Sequence, residues 1–417
     1  MVVELQLFDV VDVSFARTQD ARAVSVDLRL RGGGMGDLAA RLGEPEGTLA
    51  VPAGRSATMT SDGRGRPDRT RRATAARRRP HRVDRAAVLA VALLLAACAG
   101  AGGPATQPDP SAPATSPPAA ADEQISFDSD GLTMAGDLYL PDGPGPHPAV
   151  VLVHGSGPVD RHATTPAQLD MPFPSPVTVF ADLAAALRDG GYAVLTYDKR
   201  TCGPFNDCSD NGYPPIPADL TVETFVTDAG AAVAYLRSRD DVRPDAVAVA
   251  GHSQGGSFVP PMLIDDPELA AGVMLATAYD PIDEILEHQD ASLARQVRDL
   301  RSGPTDDTTM IGGASAGFWR SWMRMTDGIP ALAGQVEQPL LVLGGRLDAN
   351  VPPAQLQRWR ETLTGDDRQV VTLECVSHAL NCLEADDLSD VTPADIGTAV
   401  DPAVGATLVE FLDGALR

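Results

Sequence analysis

Short runs of apolar and β-branched residues recur along the chain beyond residue 121. Several of these runs are apolar at every position, which is typical of strands covered on both faces in a parallel sheet. The pattern predicts eight strands, at Gln124–Phe127, Leu132–Leu140, Ala149–Val153, Ala193–Tyr197, Ala246–Ala250, Val273–Ala276, Leu340–Leu343 and Val370–Leu373.

Helical spacing of apolar residues alternates with these runs. One stripe covers Phe180–Leu187 and a second covers Val222–Leu236. Asp401 followed by proline predicts an N-cap and the first turn of a final helix that extends to about Leu416. Strands alternating with helices predict an α/β fold with a doubly wound, mostly parallel sheet of about eight strands.

One segment breaks this alternation. Residues 280–337 contain no clear strand and bring Phe318, Trp319 and Trp322 close together. We predict a helical cap insertion over the carboxyl edge of the sheet, where open α/β folds place their ligand crevices. The three aromatic residues either line an apolar pocket or anchor the insertion to the core, and we favour the anchor.

Charge is distributed unevenly along the 417 residues, whose formal net charge is −24. Residues 1–97 hold 16 Arg against 11 acidic residues, whereas residues 98–417 hold 17 basic and 46 acidic residues. Phosphate backbones and anionic lipid heads repel a body of this charge. The composition therefore excludes nucleic-acid binding as a leading function, and solubility is the simplest account of the acidity.

The N-terminal quarter has the pattern of an export signal. Residues 64–85 carry ten Arg, and the twelve residues of Ala86–Ala97 are all apolar, which is too short to span a bilayer comfortably. The run ends Leu-Ala-Ala-Cys at Cys98, which resembles the lipobox of bacterial lipoproteins. This predicts lipidation of Cys98 and attachment to the outer face of the cell membrane. An ordinary signal peptide with a chance cysteine is the alternative.

These features divide the chain into four parts. Residues 1–58 are predicted to be an upstream extension that is disordered, with the true start at Met59. Residues 59–98 are predicted to form the signal peptide. Because of the twin arginine at Arg71-Arg72, the sequence does not distinguish export by the Sec system from export by the twin-arginine system. The Pro/Ala/Ser-rich stretch 99–121 is predicted to be a tether, and 122–417 the folded domain.

Four cysteines remain in the predicted folded domain, and in an exported protein they suggest two disulfides with three possible connectivities. Their close spacings favour Cys202–Cys208 and Cys375–Cys382, and four free thiols are the alternative. The second pair would close a loop around His378. A zinc site is not expected, because the chain has no Cys-x-x-Cys and its body has no neighbouring histidines.

The chemistry of the chain is predicted from a G-x-S-x-G motif that follows the strand Ala246–Ala250. Its serine is Ser253, in Gly-His-Ser-Gln-Gly-Gly at residues 251–256. Small residues permit the tight strand-to-helix turn that exposes a nucleophilic serine above the sheet. A chance match in a chain with 39 glycines is the alternative reading.

A serine nucleophile needs a base, and two histidines follow Ser253 in the chain. His288 lies in a strongly polar stretch of the predicted insertion, whereas His378 follows the last predicted strand, so we predict His378 as the base. Asp348 follows strand Leu340–Leu343 and is predicted to orient the imidazole. Its rivals, Asp366 and Asp367, lie in a predicted solvated turn.

An oxyanion hole needs two hydrogen-bond donors. The first is predicted to be the backbone N–H of Gln254, which follows the nucleophile. The second is predicted to be the backbone N–H of Ser156, in the Gly-rich loop His154–Gly157 that follows strand Ala149–Val153. The alternative is that this loop is a simple glycine-rich strand exit.

Together these motifs resemble the α/β-hydrolase superfamily, in particular its bacterial serine esterases and its dienelactone-hydrolase-like and serine-aminopeptidase-like branches. The order Ser253, Asp348, His378 matches that of the superfamily. The resemblance covers roughly 122–417 and rests on HGSGPVDR (154–161), YDKR (197–200), GHSQGG (251–256), GGRLDANVP (344–352) and the His378 loop.

The resemblance implies that Asp160-Arg161 holds the oxyanion loop by an ion pair. Relatives usually have glycine after Asp-Lys-Arg, whereas this chain has Thr201 and Cys202. That departure predicts an elaborated loop near the site entrance and leaves the substrate open.

We therefore predict a serine hydrolase that cleaves small-molecule carboxylic esters through an acyl-enzyme at the cell surface. It would use no cofactor or metal, and the sequence leaves its oligomeric state open. An acyltransferase or a peptidase-like hydrolase with the same triad is the first alternative. A non-catalytic surface lipoprotein is the second.

Overall fold

A computed structural model describes residues 10–17, 24–30, 120–164, 177–202, 219–392 and 395–417, together with residues 208, 213, 216 and 217. Strands β1 (Val10–Arg17) and β2 (Val24–Leu30) form an antiparallel pair within the segment predicted as an upstream extension. Cys98, the predicted signal peptide 59–98 and the tether residues 99–119 lie outside the described residues.

The domain beyond residue 121 is built on one eight-stranded sheet with the order β12-β11-β8-β7-β5-β6-β4-β3. The pairs from β12 to β6 are parallel, and β4 and β3 add antiparallel strands at one edge. The strands are β3 Glu123–Ser129, β4 Leu132–Tyr139, β5 His147–Val153, β6 Ala193–Tyr197, β7 Val242–His252, β8 Ala271–Leu275, β11 Leu340–Gly345 and β12 Arg368–Leu373.

Each of these eight strands overlaps a strand that the sequence predicts. The core strands β6 and β8 are buried at every position, which is why their runs lack polar alternation. The first strand shows the opposite pattern, because β3 lies at the sheet edge and alternates exposed and covered residues. The predicted doubly wound, mostly parallel sheet is therefore present.

Helices cover both faces of the sheet. On one face α1 and α8 pack over Tyr139, Val150 and Leu341, and on the other face α2, α3, α7 and the insertion pack over Val151, Val249 and Val342. The helices outside the insertion are α1 Val179–Asp189, α2 Val222–Arg237, α3 Val259–Asp265, α7 Ala354–Thr362 and α8 Pro402–Leu416.

The final helix begins as its sequence predicts. Asp401 is the N-cap, and its side chain accepts a hydrogen bond from the backbone N–H of Ala403 at 2.8 Å. A separate antiparallel pair, β13 (Asn381–Leu383) with β14 (Ile396–Val400), lies between β12 and this helix along the chain.

The segment 280–337 contains helices α4 (Ile282–Gln289), α5 (Ala291–Asp299) and α6 (Ala316–Ala333). Contrary to the expectation of no strand, β9 (Met310–Ile311) pairs with β10 (Ala314–Ser315). The two intervening glycines have positive φ (53° and 86°), a conformation that few other residues adopt and that a two-residue hairpin turn of this type requires.

The aromatic residues of α6 anchor the insertion to the core. Trp319 and Trp322 are buried and stack at 5.5 Å between ring centroids. The Trp319 indole N–H donates to the carbonyl of Ile311 at 2.8 Å, which ties the short hairpin to the helix. Phe318 is partly buried and meets Phe225 of α2 edge to face at 6.0 Å.

Among the described residues, no helix has both the length and the apolar content needed to cross a membrane.

Candidate active site

Ser253 occupies a strained turn at the carboxyl end of β7. Its φ is +54°, in the left-handed region that residues with a Cβ rarely adopt. The chain passes directly from the strand into a 3-10 helix at Ser253–Phe258. A Cβ placed on Gly251 would overlap the carbonyl of Gly255, so the turn closes only with glycine at that position.

The structure brings Ser253, His378 and Asp348 into one hydrogen-bonded chain. The Ser253 hydroxyl lies 3.0 Å from Nε2 of His378, and Nδ1 of His378 lies 2.8 Å from Oδ2 of Asp348. These are the contacts by which a base takes the serine proton while a carboxylate fixes its tautomer.

Asp348 is held from several directions at the carboxyl end of β11. Its side chain is buried, and Oδ1 accepts hydrogen bonds from the backbone N–H groups of Asn350 at 2.8 Å and Val351 at 2.7 Å. Oδ2 is thereby directed at His378. The competing Asp366 and Asp367 are exposed in the turn before β12, and His288 is exposed on α4.

His378 sits within a loop closed by a disulfide. Cys375 and Cys382 are bonded, and Val376 forms a β-bridge with Cys382. The backbone N–H of Ser377 donates to the carbonyl of Asn381 at 2.9 Å. The tip that carries the imidazole is therefore fixed from both sides. The other predicted disulfide, Cys202–Cys208, is also formed.

His252 is a site residue that sequence reasoning missed. Its Nε2 donates to the backbone carbonyl of His378 at 2.8 Å, so it braces the loop of the candidate base. Burial lowers the pKa of His252 to about 4, and the imidazole is neutral. The sequence signal that could have identified it is its position directly before Ser253 in the G-x-S-x-G motif.

The loop after β5 lies beside the nucleophile. A Cβ on Gly155 would be 3.4 Å from Cβ of Ser253, so the predicted oxyanion loop passes directly over the serine. Ser156 is exposed. Gln254 lies in the first turn of the 3-10 helix, where backbone N–H groups have no acceptor within the helix. Both predicted donors thus come from the two segments that meet at Ser253.

Arg161 holds this loop to the sheet, although its partner is not the neighbouring Asp160. The guanidinium pairs with Asp198 at 2.5 Å and with Asp137 at 2.9 Å. Asp160 instead accepts from the backbone N–H groups of His162 and Thr164, at 3.1 Å and 2.9 Å. The ion pair inferred from the resemblance is present with partners on β4 and after β6.

Lys199 lies beneath the same loop and was not assigned a role from the sequence. Its ammonium donates to the carbonyl of Gly155 at 2.6 Å and to Oε1 of Gln254 at 3.0 Å. Burial lowers the pKa of Lys199 to about 7.

Two clusters of residues within the described chain have the composition of metal ligands. They are Asp198 with Cys202 and Cys208, and Asp401 with Cys375 and Cys382. In each cluster both sulfurs form a disulfide, and a disulfide offers no thiolate to a metal.

Comparison with known proteins gives a family match. The model of a family described as the alpha/beta hydrolase family matches residues 150–391. This match, together with the sheet topology, confirms the predicted α/β-hydrolase fold.

Curated relatives include Esterase EstD of Thermotoga maritima, 30% identical over 273 residues, which are 61% of this chain and 60% of that protein. The 2,6-dihydropseudooxynicotine hydrolase of Paenarthrobacter nicotinovorans is 29% identical over 38% of this chain and 35% of its own length. The match thus spans less than two thirds of each of these relatives.

Solved structures with a similar fold include Est1E from Butyrivibrio proteoclasticus. It is 18% identical with a TM-score of 0.44, over 70% of this chain and 98% of that chain.

Proposed function

Since the chain belongs to the alpha/beta hydrolase family, we propose that it is a serine hydrolase that cleaves carboxylic esters through an acyl-enzyme. The observation that carries the proposal is the hydrogen-bonded chain from Ser253 through His378 to Asp348. Ser253, at its start, has a positive φ. We propose that it belongs with the dienelactone-hydrolase-like and serine-aminopeptidase-like branches, because the loop motifs at 154–161 and 251–256 resemble theirs.

In the proposed reaction the Ser253 hydroxyl attacks the ester carbonyl while Nε2 of His378 accepts its proton. The buried Asp348 carboxylate stabilises the imidazolium that forms. The backbone N–H groups of Ser156 and Gln254 donate to the oxyanion of the tetrahedral intermediate. Collapse of that intermediate expels the alcohol, which takes the proton from His378, and leaves the acyl group on Ser253. Water then attacks the acyl-enzyme while His378 accepts its proton, and collapse of the second intermediate releases the acid and returns the proton to Ser253.

An ester is the proposed substrate class because the curated relative from Thermotoga maritima is named an esterase. The match covers 60% of that relative, so its name supports an ester as the substrate class and does not specify the acyl or alcohol group. A screen of esters with different acyl and alcohol groups would identify them.

We propose that the protein acts at the cell surface, anchored by a lipid on Cys98. The support is the sequence of arginines at 64–85, the apolar run Ala86–Ala97 and the cysteine that follows it. The stretch 99–121, rich in Pro, Ala and Ser, would hold the enzyme away from the membrane.

The direct test is Ser253→Ala in a soluble protein that begins after Cys98. The variant should lose at least about 10⁴-fold in kcat on p-nitrophenyl esters, because no other group replaces the nucleophile. A fluorophosphonate should label wild-type protein on the peptide that contains Ser253, and His378→Ala should abolish that label.

Ser257→Ala is the matched control, since Ser257 lies in the same 3-10 helix and is not part of the proposed machinery. It should keep both turnover and label. Wild-type turnover in Ser253→Ala, or a label on another serine, would refute the proposed function.

A further inference from the structure

Lys199 is the single lysine of the chain and is buried, with 3% of its surface exposed. Its ammonium makes two hydrogen bonds, to the Gly155 carbonyl and to Oε1 of Gln254, and lies 4.2 Å from the centre of the Phe225 ring. Within the described part of the chain, no carboxylate lies at ion-pair distance from this ammonium. The mechanism proposed above does not use it.

The first hydrogen bond acts on an oxyanion donor. The carbonyl of Gly155 and the N–H of Ser156 belong to one planar trans peptide, so they point in opposite directions. An ammonium on the carbonyl side fixes this peptide with its N–H directed away from Lys199. The positive charge also polarises the peptide, which makes that N–H a stronger donor to an anion.

The second hydrogen bond acts on the residue that provides the other donor. Oε1 of Gln254 accepts from the same ammonium, while its Nε2 is buried with no partner among the described residues. The hydrogen bond from Lys199 to Oε1 is therefore the contact that fixes the orientation of the Gln254 side chain. One ammonium thus joins the two segments that supply the predicted oxyanion hole.

Burial of this charge is unfavourable for stability alone. Transfer of an ammonium into the interior without an ion pair destabilises the folded protein, and a neutral side chain of similar size would avoid that loss. Asp228 of α2 attracts the ammonium from beyond ion-pair distance, and its carboxylate is paired with Arg200. A residue placed here for packing would not need the charge.

We propose that Lys199 is a positioning residue that aligns the backbone N–H groups of Ser156 and Gln254 and adds positive charge beneath the oxyanion. This inference rests on the proposed serine-esterase function. It predicts an effect on the transition state that exceeds the effect on substrate binding.

The test compares Lys199→Met with Arg237→Gln. Methionine keeps much of the side-chain volume and removes the charge and the donors, so kcat should fall by about 10- to 100-fold while KM stays within about twofold. Affinity for a trifluoromethyl ketone, which forms a tetrahedral oxyanion on serine, should fall by the same factor as kcat.

Arg237→Gln is the matched control because it removes a positive charge from the last turn of α2 and breaks the ion pair with Asp266 at 2.5 Å, without touching the partners of Lys199. It should lower the melting temperature and keep kcat within about twofold. If Lys199→Met keeps the wild-type kcat and inhibitor affinity, the positioning role is refuted. Loss confined to KM and melting temperature would refute it as well.

A second measurement uses the wild-type protein and does not depend on how a variant folds. Because the chain has a single lysine, ¹⁵N-lysine labelling gives a single Nζ signal whose titration reports Lys199 directly. Its midpoint should lie near pH 7, and kcat/KM should fall as pH rises through that midpoint, since kcat/KM reports groups of the free enzyme.

The groups that face Lys199 do not interfere with this reading. Burial lowers the pKa of His154 to about 3 and raises that of Tyr197 well above its usual value, so both stay neutral. Asp228 and Arg200 form an ion pair. A kcat/KM that stays constant while Nζ titrates would refute the role of the charge.

Failure of this inference is distinguishable from failure of the proposed function. If the protein is not a serine esterase, Ser253→Ala retains the wild-type turnover or wild-type protein has none. If only the inference fails, Ser253→Ala is inactive and Lys199→Met is unaffected.

Discussion

At the scale of single residues, burial distinguishes the histidines around the site. His154 is buried and His252 is partly buried, and desolvation lowers their pKa values to about 3 and about 4. His154 hydrogen-bonds the Tyr197 carbonyl and stacks on Phe180 at 4.8 Å between ring centroids. His378 differs because 17% of its side chain is exposed and both ring nitrogens have side-chain partners. Of these three histidines, His378 is the one placed to accept the proton of Ser253.

The buried histidines predict acid lability. Their folded-state pKa values lie below the unfolded value near 6.5, so below that pH the unfolded chain binds protons that the folded chain does not. Their stabilising effect is complete above about pH 6.5 and is lost as pH falls towards 4. Each should lower the free energy of unfolding by about 2 kcal/mol between pH 7 and pH 5.

Urea unfolding at pH 7 and pH 5 measures this loss. His154→Leu should reduce the loss by about 2 kcal/mol, because one buried imidazole is removed. His288→Leu is the control, since His288 is exposed on α4, and it should leave the loss unchanged. His162 acts in the opposite direction, because its hydrogen bond to Asp137 raises its pKa. Equal losses in all three proteins would contradict the assignment to buried histidines.

At the scale of elements, the site is assembled from the ends of neighbouring strands. Strand β5 is paired in parallel with β6 on one side and β7 on the other. The chain leaving β5 carries Gly155, the chain leaving β6 carries Lys199 and the chain leaving β7 carries Ser253. Carboxyl ends of parallel neighbours meet at one edge, which places these three segments in contact.

The disulfide loop after β12 predicts a redox effect on activity. Cys375→Ser with Cys382→Ser should lower kcat by tenfold or more, because the loop that aligns His378 gains freedom while KM stays similar. The free energy of unfolding should fall by only about 2–3 kcal/mol, as for a short disulfide loop. Measured kcat and urea unfolding test both parts.

The other disulfide provides an internal control for that variant. Dithiothreitol should lower the kcat of wild-type protein towards that of the double variant. The same treatment of the double variant, which keeps Cys202–Cys208, should cause little further loss of kcat. A double variant with wild-type kcat would show that backbone hydrogen bonds alone hold the base.

At the scale of the whole molecule, the acidic charge of the chain and the lipid proposed on Cys98 have opposite effects on membrane binding. Residues 98–417 carry an excess of 29 acidic charges, so electrostatics opposes contact with an anionic lipid surface. Membrane attachment would therefore depend on the lipid proposed at Cys98 and on the spacer 99–121.

Cys98→Ser tests the anchor in a bacterial host that processes lipoproteins. Wild-type protein should fractionate with membranes and stay there in 1 M salt, because acyl chains bind by burial and not by charge. The variant should move to the soluble fraction, with its specific activity unchanged. A mature wild-type N-terminus at Cys98 without a lipid mass would contradict the proposal.

The features that were predicted correctly from the amino-acid pattern are local along the chain. The eight strands, the cap of α8 by Asp401 and the disulfides between closely spaced cysteines follow from periodicity, capping and proximity over a few residues. The candidate triad could also be predicted, because each member follows a recognisable strand and the order Ser, Asp, His along the chain is that of the α/β-hydrolases.

Contacts between residues far apart in the chain could not be predicted from the amino-acid pattern. Lys199 contacts Gln254 across 55 positions of sequence, and Arg161 pairs with Asp137 across 24 while leaving the adjacent Asp160. Likewise His252 reaches the His378 backbone across 126 positions. Such contacts depend on the order of strands in the sheet, and an apolar pattern predicts that a strand exists without specifying its neighbours.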